Sequence, residues 1–167
     1  MATQLKNLST YDPDAVPDGT KLKIGIIVSE WNREVTKELE NGARDTLLAH
    51  GVKSENLIIH SVPGSFELPL GAQFLLENKK LDAVIILGCV IQGETRHFEF
   101  ICQAVTQGCM NVGLEYNTPV IFGLLTTDTL EQAIDRAGGK HGNKGTEAAI
   151  TALMMASLHK KLSSFLD

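Results

Sequence analysis

The stretch DAVIILG, residues 82–88, decides the fold of this chain. It is a continuous apolar run as long as one strand, and it is far too short to span a bilayer. Similar runs occur at LKIGIIVS (22–29), NLIIHSV (56–62) and TPVIFGLLTT (118–127). The sequence therefore predicts four strands, each apolar enough to be buried on both faces of a sheet.

Helical patterns separate these strands. In the first of them Val35, Leu39, Ala43 and Leu47 fall on one stripe, and Gly51 follows as a C-cap. The other predicted helices are FELPLGAQFLLENKK (66–80), FEFICQAVTQGCMNVGLEY (98–116), DTLEQAIDRAGG (128–139) and NKGTEAAITALMMASLHKKL (143–162). Strands that alternate with helices predict βαβ units. We expect an α/β fold: a flavodoxin-like three-layer α/β/α sandwich around a four-stranded parallel sheet.

The first 20 residues lack this periodicity. They contain Pro13, Pro17 and Gly19, which interrupt regular structure. We therefore expect an N-terminal arm at 1–20 and a single domain at 21–167.

Composition and charge exclude several classes of protein. The net charge is −5 and the basic residues are dispersed, so there is no basic surface for nucleic acid. The N-terminus carries acids and no apolar core of signal-peptide length. Three cysteines without CxxC spacing, and five histidines without HExxH spacing, predict neither a disulfide framework nor a metal site. We expect a cytoplasmic protein with no metal and no nucleic-acid or membrane partner.

Ligands bind beyond the carboxyl ends of the strands in such sheets, so the segments after each strand are the candidate sites. After the first strand, Trp31 offers a flat face to a planar ligand and Asn32 an amide; the alternative is a residue that covers the sheet end. After the second strand, the N–H groups of Ser65 and Phe66 open a helix and can bind a polar ligand. Glu67 is either an acceptor for hydroxyl groups or a carboxylate that favours the positive helix end.

The segment QGETRH after the third strand has the pattern of an anion site. Gly93 allows close approach of the backbone, and Thr95 opens a helix. His97 lies just beyond, where it is either a structural residue or a proton-transfer group. Near the end of the chain Arg136, Lys140 and Lys144 cluster in a glycine-rich segment that can bind a phosphate; the alternative for Arg136 is favourable placement at a helix C-terminus.

Five segments in order strengthen these interpretations: SEWN, VPGSFELP, GCVIQGETRHFEF, PVIFGLLTTDTLEQAIDRAGG and GNKGTEAA. From about residue 22 to 162 the chain resembles the 6,7-dimethyl-8-ribityllumazine synthase family, which catalyses the penultimate step of riboflavin biosynthesis. The resemblance implies condensation of 5-amino-6-(D-ribitylamino)uracil with 3,4-dihydroxy-2-butanone 4-phosphate. The products are the lumazine, phosphate and water, and neither a cofactor nor a metal takes part.

By matching position, the resemblance also implies roles for individual residues. The substrate-binding residues are Trp31 (stacking on the pyrimidine), Asn32, Ser65, Phe66 and Glu67 (ribityl chain), Cys89, Val90 and Ile91 (ring edge), and Glu94 and Thr95 (phosphate of the second substrate). His97 is implied to move protons. Phe122 and Arg136 are implied to come from a neighbouring subunit, with Lys144 nearby. One departure is that Gln92 stands where the family commonly has Arg, and we hypothesise that Arg96 partly replaces that charge.

The resemblance implies a homo-oligomer with the active site between subunits. Family members are pentamers, and some pack twelve pentamers into an icosahedral shell, for which a riboflavin synthase is a candidate partner. The turn RAGGKHGNKG lacks the insertion of many pentamer-only members, which favours the 60-mer. The arm could add a strand to a neighbour's sheet, although its prolines disfavour this.

Three alternative functions stay open at this point. They are a riboflavin synthase on the same fold, a flavin-binding shell protein without activity, and an FMN carrier. SEWNRE follows the first strand where an FMN carrier has a phosphate loop rich in Ser and Thr, which disfavours the carrier. His97, Arg136 and Glu67 together count against an inactive shell protein.

Overall fold

Four parallel strands form the centre of the computed structural model, which describes residues 9–164 of the chain. They are β1 (Ile24–Ser29), β2 (Leu57–Val62), β3 (Ala83–Ile91) and β4 (Val120–Thr127), in the order β2-β1-β3-β4. The register pairs Ile24 of β1 with Leu57 on one side and Ala83 on the other. The predicted parallel sheet is confirmed. β1 is wholly buried, whereas β2 is partly exposed because it lies at the sheet edge and has only one neighbouring strand.

Five α-helices connect and cover the strands. They are α1 (Arg33–Ala49), α2 (Leu68–Asn78), α3 (His97–Glu115), α4 (Leu130–Asp135) and α5 (Lys144–Ser163). Their ends follow local chemistry: Gly51 takes a left-handed φ of 91° just beyond α1, and Pro69 lies in the first turn of α2. The Oγ1 of Thr129 caps α4 by accepting the N–H of Gln132. None of these helices is long and apolar enough to cross a membrane.

The sheet separates two hydrophobic cores. On one face α1, α4 and α5 enclose the α1/α5 core, in which Leu39, Leu47 and Leu153 are fully inaccessible to solvent. On the other face α2 and α3 enclose the α2/α3 core around Leu68 and Val105. Helices on both faces of a parallel sheet make the three-layer, flavodoxin-like sandwich that the sequence predicts.

A short antiparallel hairpin joins α4 to α5, where the sequence predicted a helix over residues 128–139. Its strands are β5 (Ala137–Gly139) and β6 (Gly142–Asn143). Gly138 and Gly142 take positive φ values of 113° and 85°, which a residue with a side chain rarely adopts. These glycines allow the chain to reverse within a few residues, so the basic residues of this segment are held on a defined turn. We call residues 136–144 the cationic corner.

The described part of the N-terminal arm, residues 9–20, lies against its own chain. The ring of Tyr11 is 5.6 Å from that of His50, and the N–H of Gly19 donates to the carbonyl of His50 at 2.8 Å. This part of the arm contains a 3-10 turn, Pro13–Ala15, and no strand. The boundary at residue 20 and the addition of the arm to a neighbour's sheet stay predictions, and residues 1–8 fall outside the described part.

Candidate active site

A pocket of about 720 Å³ opens at the carboxyl ends of β1, β2 and β3. Its lining residues are Trp31, Asn32, Gly64, Ser65, Phe66, Glu67, Cys89, Val90, Ile91, His97 and Ile101. Nine of these are residues that the sequence predicted for the site. They come from three separate segments, which meet because parallel strands end at the same edge of the sheet.

The end of β1 contributes an exposed indole and a constrained amide. Trp31 is 72% exposed, so its ring is open to a planar ligand. Asn32 has φ 58° and ψ 49°, the left-handed conformation that Asn tolerates better than most residues. Its Nδ2 donates to the carbonyl of Cys89 at 3.0 Å. The amide predicted to face a ligand therefore also ties the end of β1 to β3, and its Oδ1 and second Nδ2 hydrogen remain for a ligand.

The segment after β2 presents the N-terminus of a helical segment to the pocket. The sequence predicted a helix start near Phe66; instead a 3-10 turn, Ser65–Glu67, leads into α2. The first N–H groups of a helical segment have no acceptor within it, so those of Ser65 and Phe66 suit a polar ligand. A Cβ on Gly64 would lie 3.1 Å from Oε2 of Glu67. The carboxylate thus folds back over Gly64, and a glycine gives it room.

The end of β3 supplies backbone and an apolar wall. Burial, with a smaller contribution from Glu34, raises the pKa of the Cys89 thiol to about 11. The thiol is therefore protonated near neutral pH and is unsuited to act as a nucleophile. The strand instead offers Val90 and Ile91 as a surface against which a ring can lie.

His97 is the first residue of α3 and is exposed at the pocket. Its backbone N–H donates to the Oγ1 of Thr95 at 3.4 Å. Ile101 lies four residues further along the same helix, hence on the same face, and it also lines the pocket. Ile101 and Gly64 are not among the site residues predicted from the sequence. The helical spacing from His97 could have indicated Ile101, and the turn before Ser65 could have indicated Gly64.

The structure leaves five predicted residues outside the pocket of this chain. They are Glu94, Thr95, Phe122, Arg136 and Lys144. Glu94 and Thr95 lie in the exposed loop before α3, where a Cβ added to Gly93 would have no atom within 4 Å. Phe122 lies on the edge strand β4 and lines a separate groove between α3 and α5.

Arg136 and Lys144 share one carboxylate in the cationic corner. The guanidinium of Arg136 donates to Oε1 of Glu147 at 2.7 Å and to the carbonyl of His141 at 2.6 Å. The ammonium of Lys144 lies 3.3 Å from Oε2 of Glu147. Two cations around one carboxylate retain a net positive charge. Because a guanidinium carries five N–H donors, Arg136 can still donate to an anion.

The described residues contain no cluster of metal-ligating side chains. Within residues 9–164, no three His, Cys, Asp or Glu side chains are placed to hold one metal ion. The groups that line the pocket include an aromatic face, backbone donors, the carboxylate of Glu67 and the imidazole of His97.

Comparison with known proteins identifies the family of this chain. The family model described as 6,7-dimethyl-8-ribityllumazine synthase matches residues 21–160. Curated proteins of that name are similar along nearly their whole length. The protein of Cytophaga hutchinsonii is 59% identical over 155 residues, which cover 93% of this chain and 97% of that protein. That of Parabacteroides distasonis is 56% identical over 157 residues, 94% of this chain and 98% of that protein. Because the family model covers most of the chain and these relatives share more than half of their residues with it, the chain belongs to the 6,7-dimethyl-8-ribityllumazine synthase family.

Proposed function

We propose that the chain condenses 5-amino-6-(D-ribitylamino)uracil with 3,4-dihydroxy-2-butanone 4-phosphate to give 6,7-dimethyl-8-ribityllumazine, phosphate and water. The observation that carries this proposal is the pocket itself. It combines an exposed indole, a helix opening with a carboxylate and an imidazole at the carboxyl edge of one sheet. A pyrimidine with a polyhydroxyl chain needs these groups, and the family assignment names the reaction.

The pyrimidine substrate occupies the pocket at the carboxyl ends of β1, β2 and β3. Its ring stacks on Trp31, and its edge bonds the backbone of residues 89–91. The hydroxyl groups of its ribityl chain bond the N–H groups of Ser65 and Phe66 and the carboxylate of Glu67, with the Oδ1 of Asn32 close by. This assignment matches donors to acceptors, since the Glu67 carboxylate can only accept and a ribityl hydroxyl can donate.

The phosphorylated ketone lies toward the N-terminus of α3. Its phosphate faces the loop of Glu94 and Thr95, where Gly93 leaves open space. The substrate's amine attacks the ketone and water leaves to form an imine; tautomerisation then expels phosphate, and ring closure expels a second water. His97 moves protons in these steps. Such acid–base assistance contributes about 10²–10⁴-fold, and alignment of the two substrates contributes several kcal/mol, up to ~7–11.

A second copy of the chain completes the site. Phe122 closes the ring pocket of its neighbour, and Arg136, with Lys144 nearby, grips the phosphate. Large apolar side chains are exposed on the α2 and α3 side, which supports burial against another copy: Phe66, Leu70, Phe74, Phe100, Met110 and Leu114. We propose a pentamer, and a 60-mer because the turn between α4 and α5 is short. Light scattering tests this, and a particle of pentamer mass would contradict the 60-mer.

We also propose a cytoplasmic location, and riboflavin synthase as a candidate partner within the shell. The three cysteines are free thiols, which fits a reducing compartment. Co-purification of riboflavin synthase with the assembled particle tests the partner, and fractionation of cells tests the location.

The decisive experiment mixes the purified protein with both substrates. We expect lumazine fluorescence and phosphate release in equal amounts, and no product when either substrate is omitted. His97→Ala should slow the reaction without abolishing it, because alignment of the substrates survives. If the protein instead consumed added lumazine and produced riboflavin, the riboflavin synthase alternative would replace this proposal.

A further inference from the structure

The N-terminal arm contacts the cationic corner through one hydroxyl. The Oγ of Ser9 accepts the backbone N–H of Asn143 at 2.6 Å and donates to the carbonyl of the same residue at 3.0 Å. The two residues are 134 positions apart in the chain. The arm is anchored separately to the end of α1 through Tyr11 and Gly19, so Ser9 is held in place from its own side.

Asn143 is the junction between the hairpin and α5. Its Oδ1 caps the helix by accepting the N–H groups of Gly145 and Thr146 at 2.8 and 3.3 Å. Its Nδ2 donates to the carbonyl of Glu38 in α1 at 2.9 Å. The side chain thus fixes Asn143 to two helices, while Ser9 supplies the partner for both backbone polar groups of this residue.

Arg136 and Lys144, the two cations that share Glu147, depend on the position of Asn143. Lys144 follows it directly, and the N–H of Lys144 donates to the carbonyl of Arg136 at 2.8 Å. Ala137, the neighbour of Arg136, pairs with Asn143 across the hairpin. A shift of Asn143 therefore moves the backbone of both cationic residues relative to Glu147.

We propose that Ser9 is a positioning residue for the phosphate-binding cations: the arm fixes Asn143, and Asn143 fixes Arg136 and Lys144. The inference rests on the proposed function of Arg136. Its consequence is selective. Loss of the Ser9 hydroxyl loosens the grip on the phosphorylated ketone and leaves the pyrimidine pocket, which lies on other segments, as it is.

The test compares Ser9→Ala with two matched variants. Ser9→Thr retains a hydroxyl, and Thr10→Ala removes an exposed hydroxyl that makes no hydrogen bond within the described residues. We expect Ser9→Ala to raise KM for the phosphorylated ketone by about 5–20-fold, the effect of losing one or two hydrogen bonds, with KM for the pyrimidine unchanged. Ser9→Thr should restore most of the affinity, and Thr10→Ala should behave as wild type.

The outcomes separate this inference from the function on which it rests. If wild type forms no lumazine, the proposed function fails and the inference with it. If wild type is active and Arg136→Ala raises KM for the ketone while Ser9→Ala does not, the inference alone is wrong. Equal increases in both KM values for Ser9→Ala would mean a general structural role and would also overturn it. In the Arg136→Ala background, Ser9→Ala should have little further effect.

Discussion

Replacing Gly145 with alanine should destabilise the fold, although alanine is the better helix former. Gly145 is the second residue of α5, where that helix crosses α1. A Cβ at this position would overlap the carbonyl oxygen of Leu39 and lie 2.7 Å from its carbonyl carbon. Leu39 is completely buried in the α1/α5 core, so α1 cannot move away without opening that core.

The expected loss in the free energy of unfolding depends on whether the added Cβ overlaps backbone or side-chain atoms. Overpacking a core costs about 1–3 kcal/mol, and we expect about 3 kcal/mol because backbone atoms cannot rotate away as a side-chain end can. For a chain of 167 residues, that loss lowers Tm by about 6–12 °C. Helix propensity alone predicts the opposite sign, a gain of about 1 kcal/mol.

Urea unfolding followed by circular dichroism, at one fixed protein concentration, measures the effect. The matched control is Gly113→Ala in α3, where an added Cβ would meet its nearest atom, the carbonyl oxygen of Thr118, at 3.4 Å. This control should be neutral or slightly stabilised. If Gly145→Ala were as stable as the control, close contact between α1 and α5 would not limit this position, and the steric reasoning would be refuted.

Raising the pH above 9 should reduce stability, because burial raises the pKa of Cys89 to about 11 and of Cys109 to about 12, so unfolded thiols ionise first. Their contribution is complete below the ordinary thiol value near 9 and declines as the pH rises toward the folded values. Cys109→Ala should show a shallower decline in urea midpoints between pH 8 and 10, and an identical decline would contradict this. Trp31, the only tryptophan, should emit as a solvated indole and shift to shorter wavelength when the pyrimidine binds; unchanged emission at saturation would argue against stacking. Arg96→Ala should raise KM for the phosphorylated ketone and Arg96→Lys should largely restore it, whereas an unchanged KM for Arg96→Ala would show that this cation does not replace the one expected at Gln92.

Local patterns predicted most of the regular structure. The apolar runs of β1 and β3 and the stripe of Val35, Leu39 and Leu47 depend only on near neighbours in the sequence, so they could be recognised without the fold. The segments that line the pocket could then be grouped, because parallel strands end at a common edge. No single residue identified the site; its position followed from the rule that parallel strands end at one edge of the sheet.

The missed features depend on contacts that no local pattern encodes. The hairpin β5–β6 has strands of three and two residues in a segment rich in glycine, too short for any periodicity. The hydrogen bonds from Asn32 to Cys89 and between Ser9 and Asn143 join positions far apart in the chain. The pairing of Arg136 with Glu147 requires the hairpin to return α5 beside the end of α4. Each of these contacts exists only after the chain has folded.

The contact between α1 and α5 bears on how the protein is made. The hydroxyl of Thr46 donates to that of Thr146 at 3.2 Å, and the two residues are 100 positions apart in the chain. At about 5–20 residues per second, a ribosome needs roughly 5–20 s to synthesise that interval. During this time the apolar stripe of α1 has emerged while the helix that covers it has not. The nascent chain therefore exposes the apolar stripe of α1 for seconds. If synthesis stalls before α5, the incomplete chain keeps this surface exposed and becomes a target for chaperones or for degradation.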